Sequence, residues 1–531
     1  MKAALKRIDL DIKELEALVE RARGALSQQE YEKLQAALKT LEYLTELLED
    51  KNTTIGKLRQ LLFGTRTEKT RKVLQQAGAS EQAGGTDSQK TAEPKKTVKG
   101  HGRNGASSYL GAQQIKIGHE SMKAGDSCPG CLKGKVYARK TPAYLVRVTG
   151  QAPIGAMVYE LEKLRCNLCG EMFTASEPEG MGPEKYDAGS ASMIALLKYG
   201  SGFPFYRLEG LQESLGIPLP ASTQWEIVKE KAPVFQPAYQ ELIRQAAQGE
   251  VLYNDDTTMK ILALMRGSPQ NEAQAGDCEP EPSKRTGVFT SGIVSTREGR
   301  QIALFFTGRR HAGENLTEVL KRRASQLGPP IQMCDALSRN LPKDFKVLLA
   351  NCIAHARRQF VDVAPSFPEE CRYVLETLRE VYNNDALAEE QGMSAEERLR
   401  FHQEQSGPLM DKFEKWLKAQ IEERKVEPNS GLGKAIAYFT NHFDKLTLFL
   451  HVAGAPLDNN ICERALKKAI LHRKGSLFYK TENGARVGDL YMSLIHTCQL
   501  CKANPFDYLT ELQKHEQELA QKPQDWMPWN Y

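Results

Sequence analysis

The sequence predicts a multidomain α/β protein, and three observations carry that prediction. At 531 residues and roughly 150 residues per domain, the chain is long enough for about three or four folding units. Hydrophobic residues make up 40% and charged residues 26% of it, which supplies sizeable cores and argues against global disorder. Its middle carries successive apolar strand-like runs and then alternating strand and helix patterns, as in a mixed sheet covered by helices. Lys plus Arg number 72 and Asp plus Glu 67, a formal charge of +5, so any basic surface is local. No window approaches the roughly 18 uninterrupted apolar residues of a membrane span. Met1 to Arg23 is charged throughout and lacks a signal peptide's apolar centre. A cytoplasmic protein with no membrane partner is expected. The 11 cysteines are then candidates for metal ligation or core burial, not for a disulfide framework.

The elements follow in order. Residues 1–75 read as a helical coiled-coil or hairpin, because leucines such as Leu34, Leu38, Leu41, Leu44 and Leu48 step by three or four. Dimerisation is the favoured use of this seam, and packing on its own domain is the alternative. Residues 76–107 are rich in Gly, Ala, Ser, Gln and Lys and read as a flexible basic linker, either a solvated tether or a phosphate-tracking arm. Residues 108–180 carry Cys128-Pro129-Gly130-Cys131 and Cys166-Asn167-Leu168-Cys169. Two such knuckles supply four thiolates to one tetrahedral Zn²⁺, which leaves the ion no open position for catalysis. Strand character at Val136-Tyr137, Tyr144 to Val146 and Met157 to Tyr159 completes the expectation of a zinc ribbon. Residues 181–245 look helical, with Gly216 between two helices and Ser222 as a cap, the outline of a helix-turn-helix or of a plain helical layer.

Residues 246–365 hold the strand pattern. Val251 to Asp256, Gly287 to Ser295 and Gln301 to Phe306 make an antiparallel meander, interrupted by a polar insertion from Gly267 to Arg285. A further apolar run ends at Asp335, and a helical stretch spans residues 366–450. Residues 451–515 contain a helix start at Asn459-Asn460-Ile461-Cys462-Glu463-Arg464, and 516–531 form a tail. An Asp at the end of an apolar strand is expensive to desolvate unless exposed, paired or on a metal. Strands side by side would bring Asp255 and Asp335 together, with Glu463 as a third acid. Oxygen-only ligands favour Mg²⁺ or Mn²⁺, and three separately solvated acids are the alternative. From Arg464 to Arg486 seven basic residues face Glu482 alone. A polyanion beside a carboxylate metal site implies phosphodiester chemistry.

At this point the motifs resemble a known family, the insertion-sequence-66 family transposases (the TnpC-type large subunit). Leu58 to Lys69 resembles its basic Phe-Gly-Arg-Arg-Ser-Glu-Lys signature, and the four cysteines resemble its zinc-binding motif. Asp255-Asp256-Thr257 resembles its Asp-Glu-Thr, Asn459 to Leu466 its Asn-Asn-x-x-Glu-Arg block, and Cys352 to Phe360 and His472 to Phe478 two further blocks. Asp256, Thr258, Ala336 and Lys467 depart from the pattern, and none is a ligand.

The resemblance implies a ribonuclease-H-like DDE core with an α-helical insertion. Asp255, Asp335 and Glu463 would be its catalytic acids and would hold two Mg²⁺ (or Mn²⁺) ions. Cys128, Cys131, Cys166 and Cys169 would hold one structural Zn²⁺. Arg464, Lys467, Arg473, Lys474, Lys480, Arg357 and Arg358 would contact DNA. It also implies cleavage of insertion-element ends and their joining to target DNA, a homodimer or higher oligomer, and small accessory transposition proteins. A ribonuclease-H-like nuclease without strand transfer, and a non-catalytic zinc-ribbon DNA-binding regulator, are the competing readings.

Overall fold

The structure, a computed structural model, describes residues 21, 31, 35, 70, 73, 74, 123–127, 129, 133, 135–137, 152–165, 172–176, 184–265 and 287–531. Most of the expected coiled coil, the linker, the four cysteines expected to bind zinc and the polar insertion after residue 266 lie outside them.

The elements are β1 (Lys163–Arg165), β2 (Met172–Thr174), α1 (Ala188–Ala195), a π-helical turn at Leu196–Gly200, α2 (Phe205–Ser214), α3 (Ala221–Ala246), β3 (Val251–Thr258), β4 (Phe289–Arg297), β5 (Arg300–Gly308) and α4 (Ala312–Leu320). Then come β6 (Ile331–Cys334), β7 (Leu348–Asn351), α5 (Ile353–Val363), α6 (Pro368–Glu390), α7 (Ala395–Gln405), α8 (Gly407–Glu422), α9 (Gly431–Asn441), α10 (Asn460–Ser476), α11 (Glu482–Leu500), α12 (Pro505–Lys514) and α13 (Glu516–Gln521). Among the described residues the chain divides into two units. One includes His355–Gly392 and Glu404–Asn441; the other includes Glu81–Ala354, Met393–Gln403 and His442–Tyr531.

The larger unit is built on a five-stranded mixed sheet of order β5-β4-β3-β6-β7. The first three strands form the antiparallel meander, and β6 and β7 add in parallel. Glu298 and Gly299 close the β4–β5 hairpin with φ of 51° and 77°, the two positive values that a two-residue turn of this hand requires. On one face lie α3 and α4: Ser295 Oγ donates to the Ala246 carbonyl at 2.8 Å, and Asn315 Nδ2 to Ser291 Oγ at 2.8 Å. The helix, glycine turn and helix read around residue 216 are α2, Gly216 (φ 74°) and α3. Ser222 is not the cap; Pro220 precedes the first turn of α3, whose 26 residues bury Val228, Phe235, Ala238 and Leu242. Burial of that apolar stripe, not capping, holds the helix.

The edge strand β5 is covered by α11. Asp489, Ser493 and Thr497, spaced at i, i+4 and i+8, accept hydrogen bonds from the backbone N–H groups of Thr307 (2.6 Å), Phe305 (3.0 Å) and Ala303 (3.1 Å). An exposed strand edge is an aggregation hazard, and this polar stripe satisfies alternate amides along it. Rings tie α10 and α11 to the π-helical turn: Tyr491 stacks on Tyr199 at 5.3 Å, Tyr199 on His472 at 6.0 Å, and His472 on Tyr479 at 4.8 Å.

The other unit packs α5, α6, α8 and α9 around Phe360, Phe413 and Phe439. Phe413 meets Phe439 edge-on at 5.0 Å, an arrangement favoured by the ring quadrupoles.

Candidate active site

Sheet register decides which acids meet. Along the parallel pair, Val251 faces Ile331, Leu252 faces Gln332 and Tyr253 faces Met333. The paired residues end there, two short of Asp255 on β3 and two short of Asp335, which directly follows β6. Across β4, Asp255 faces Gly292, and the absent side chain there admits α10: a Cβ on Gly292 would lie 2.9 Å from Leu466 Cγ. Cys462 Sγ donates to the Gly292 carbonyl at 3.3 Å. Asn459 pins the helix start, its Nδ2 donating to the Asn254 carbonyl at 3.2 Å and its backbone N–H to Cys352 Sγ at 3.3 Å. Glu463 sits in the first turn of α10 and is therefore brought to the face and the end of β3 that carry Asp255.

Two buried thiols feel the charge of nearby acids. Burial pushes the Cys462 thiol well up, and the charges of Asp255, Glu463 and Asp256 add to it. Burial also raises Cys334, followed by Asp335 and Asp255. Cys462 thus lies in the field of Asp255 and Glu463, and Cys334 in that of Asp335 and Asp255; carboxylate oxygens would suit a hard divalent cation. Asp335 is held by its neighbours: Asn340 Nδ2 donates to Oδ1, and the Leu337 N–H reaches the same oxygen at 3.2 Å. Asn340 is itself fixed, its carbonyl accepting from Asn254 Nδ2 at 2.8 Å and from Gln332 Nε2 at 2.7 Å.

Asp256 does something different. Its carboxylate accepts from Ser291 Oγ at 2.7 Å and pairs with His311 Nδ1 at 2.9 Å, and its side chain is 1% exposed. Successive strand residues point to opposite faces, so Asp256 lies under α4 while Asp255 faces α10.

A family model for the Transposase IS66 family matches residues 185–487, more than half of the chain and all three acids. The chain belongs to the IS66 transposase family. It is similar to two proteins of Sinorhizobium fredii named uncharacterized protein y4jD and uncharacterized protein y4qI. The first is 28% identical over 355 residues, 64% of this chain and 65% of the relative. The second is 26% identical over 355 residues, 64% of this chain and 61% of the relative. The matched stretch thus spans less than two thirds of either relative's length.

On this transposase-family chain the basic residues divide. Arg464, Lys467 and Lys474 are exposed on α10 at i, i+3 and i+10, opposite the buried Cys462, Ala465, Leu466, Ala469 and His472. Lys480 is exposed just beyond the helix. Arg473 instead turns onto the end of β3, its Nη1 bonding Thr257 Oγ1 at 3.3 Å together with the Thr258 carbonyl and hydroxyl. In the other unit Arg357 is buried and donates to Thr70 Oγ1 at 3.3 Å, and Arg358 is half-buried.

Around the cysteine knuckles, β1 pairs antiparallel with β2, Arg165 opposite Met172, on either side of Cys166 and Cys169 in the sequence. A bridge between Ser127 and Lys135 flanks Cys128 and Cys131 in the same way. Met157 to Tyr159, expected as strand, are exposed and belong to neither strand; the pairing lies in residues that flank the cysteines in sequence, not in the apolar run. No helix of the described residues is long and apolar enough to cross a membrane.

Sequence reasoning missed Gly292, Asn340 and the Asp489–Ser493–Thr497 stripe, and it named Asn459 only as part of the Asn-Asn-x-x-Glu-Arg block. Of the three missed, only the last left a signal, three polar residues in helical register on an apolar helix.

Proposed function

We propose that the chain is a DNA transposase that cuts the ends of an insertion element and joins them to target DNA, with Asp255, Asp335 and Glu463 as its metal-binding acids. What supports this reading is membership of the IS66 family together with three acids at element ends: Asp255 near the end of β3, Asp335 directly after β6 and Glu463 in the first turn of α10. Mg²⁺ held by these three would polarise the scissile phosphate and activate the attacking oxygen. The rest falls to the chain. Asn340 holds the Asp335 carboxylate, Asn459 and Gly292 set the depth of α10 and hence the place of Glu463, and Arg473 fixes the end of β3. Arg464, Lys467, Lys474 and Lys480 grip phosphates along the helix, a role the salt dependence of binding reports. The mixed sheet and the helices between β7 and α10 support a ribonuclease-H-like core with a helical insertion. Cys128, Cys131, Cys166 and Cys169 are assigned one structural Zn²⁺, supported by the strand pair that flanks the second knuckle and the single bridge that flanks the first. Self-association and small accessory proteins are retained from the family.

The test is a gel assay on duplexes taken from the DNA flanking the coding sequence, with and without Mg²⁺, and with a target duplex present. Mg²⁺-dependent cuts and joined products are expected. Cuts without joined products leave a nuclease, and no cuts at all leave a binding protein.

A further inference from the structure

The end of α10 holds a feature that the acids and the cationic stripe do not use. Leu477 has φ 67° and ψ −41°, and the Phe478 N–H donates to the Ser476 carbonyl at 2.8 Å. That is a γ-turn of the rarer, strained hand, and a bulky side chain at positive φ is an outlier that glycine would relieve. Strain of this kind persists where the surroundings over-determine it, and here they do. Lys198 Nζ donates to Ser476 Oγ at 2.7 Å. Gly475 lies so close to the Gly202 carbonyl that a Cβ would stand 2.6 Å from it. The Tyr479 N–H donates to the Lys260 carbonyl at 2.9 Å, and its own carbonyl accepts from the Leu262 N–H at 2.9 Å. The His472 and Tyr479 rings stack beneath the turn.

From this braced base two apolar side chains project into solvent, Leu477 at 64% and Phe478 at 41% exposure. Exposed Lys474 and Lys480 stand on either side in sequence. An exposed apolar pair on a rigid, strained mount within a cationic rim is the chemistry of a wedge that enters a base stack, where phosphates meet the cations and the unstacked step meets the apolar tip.

We propose that Leu477 and Phe478 form such a wedge and unstack a base step of DNA lying along the exposed face of α10; this rests on the DNA reading of that face given above. Thirteen residues separate Glu463 from Ser476, about 20 Å of helix at 1.5 Å per residue. That length corresponds to roughly six base steps of 3.4 Å, so the distorted step lies about that far from the cut bond.

The test uses the full chain with Ca²⁺ in place of Mg²⁺, and duplexes from the DNA flanking the coding sequence with 2-aminopurine at successive steps. A fluorescence rise of about threefold or more is expected near the sixth step from the cleavage site. It should be lost in Leu477→Gly and in Phe478→Ala, and binding should be restored by a preformed mismatch at that step. Leu477→Gly relieves the positive φ, so its melting temperature should hold or rise, which separates loss of the wedge from loss of the fold; Phe478→Ala provides the second variant. No rise at any step in bound wild-type complex, or a rise that survives both substitutions, overturns the proposal. So does a double variant that loses only self-association, which would reassign the tip to contact between copies. Because the readout needs no cleavage, the reading of the acids can fail in its own assay while the fluorescence rise still upholds the wedge.

Discussion

Adjacent aspartates on β3 receive different tasks because the strand turns them to opposite faces. Asp255 lies on the face of β3 that α10 covers, whereas Asp256 is buried between Ser291 and His311. Asp255→Asn, Asp335→Asn and Glu463→Gln should each lower Mg²⁺-dependent cleavage at least about 100-fold, the scale on which even an outer-shell partner of a metal ligand matters. DNA affinity at fixed salt should stay within about twofold. Asp256→Asn should instead lower stability by about 1–3 kcal/mol through its disrupted buried hydrogen bonds, seen as an earlier urea midpoint, with Mg²⁺ dependence retained. Full cleavage by an Asp255 variant together with a dead, well-folded Asp256 variant would reverse the assignment. From the sequence the pair Asp255-Asp256 was legible as acidic, but which of the two faces the site depends on strand register.

At the scale of elements, the contact between α11 and β5 makes a pH prediction. Burial raises Asp489 to about 7 from an ordinary 3.8, against the hydrogen bonds from Thr307 that lower it. The folded protein therefore keeps this proton between about pH 4 and 7 while the unfolded chain has released it, so stability falls as pH rises through that window. The size is about 4 kcal/mol. Asp489→Asn, neutral at every pH, should flatten this slope and melt later than wild type at pH 8, with little difference at pH 4. A wild-type profile that is level or rising from pH 4 to 7, once other groups are accounted for by the variant, would remove Asp489 from that role. On α10 the division among basic residues is equally testable. Lys474→Ala with Lys480→Ala should flatten the slope of log K against log salt by about two units on duplex DNA. Arg473→Ala, which removes the anchor on Thr257 and Thr258, should lower cleavage more than binding. An Arg473 variant whose loss lies wholly in salt-dependent affinity would make it a phosphate contact after all.

For the whole molecule, the cysteine module and the sheet-based core are separable predictions. Purified protein should carry about one zinc per chain by metal analysis. Cys128→Ser or Cys169→Ser should release it and loosen the ribbon to proteolysis, because structural zinc contributes on the order of 10 kcal/mol or more of apparent binding free energy at neutral pH. The far larger core, with Phe235, Leu242, Leu304, Phe305 and Leu494 at 1% exposure or less, should keep its melting transition. A zinc-free protein with an intact, protease-resistant ribbon would sink the assignment.

The sequence by itself determined the α/β class, the meander, the cysteine spacing, and three acids set among basic residues, because alternation, helical periodicity and motif spacing are local properties of the chain. The ordered motifs also placed the chain in its family. Tertiary structure decided the rest. The parallel pairing of β3 with β6 runs toward Asp255 and Asp335, the missing side chain of Gly292 lets α10 approach, and Asn254, distant in sequence from both, fixes Asn340 beside Asp335 and Asn459 at the start of α10. The same packing claimed Arg473 and Arg357 for structural bonds and left Leu477 and Phe478 projecting, since whether a cation or an apolar side chain is free depends on the surfaces that fold against it.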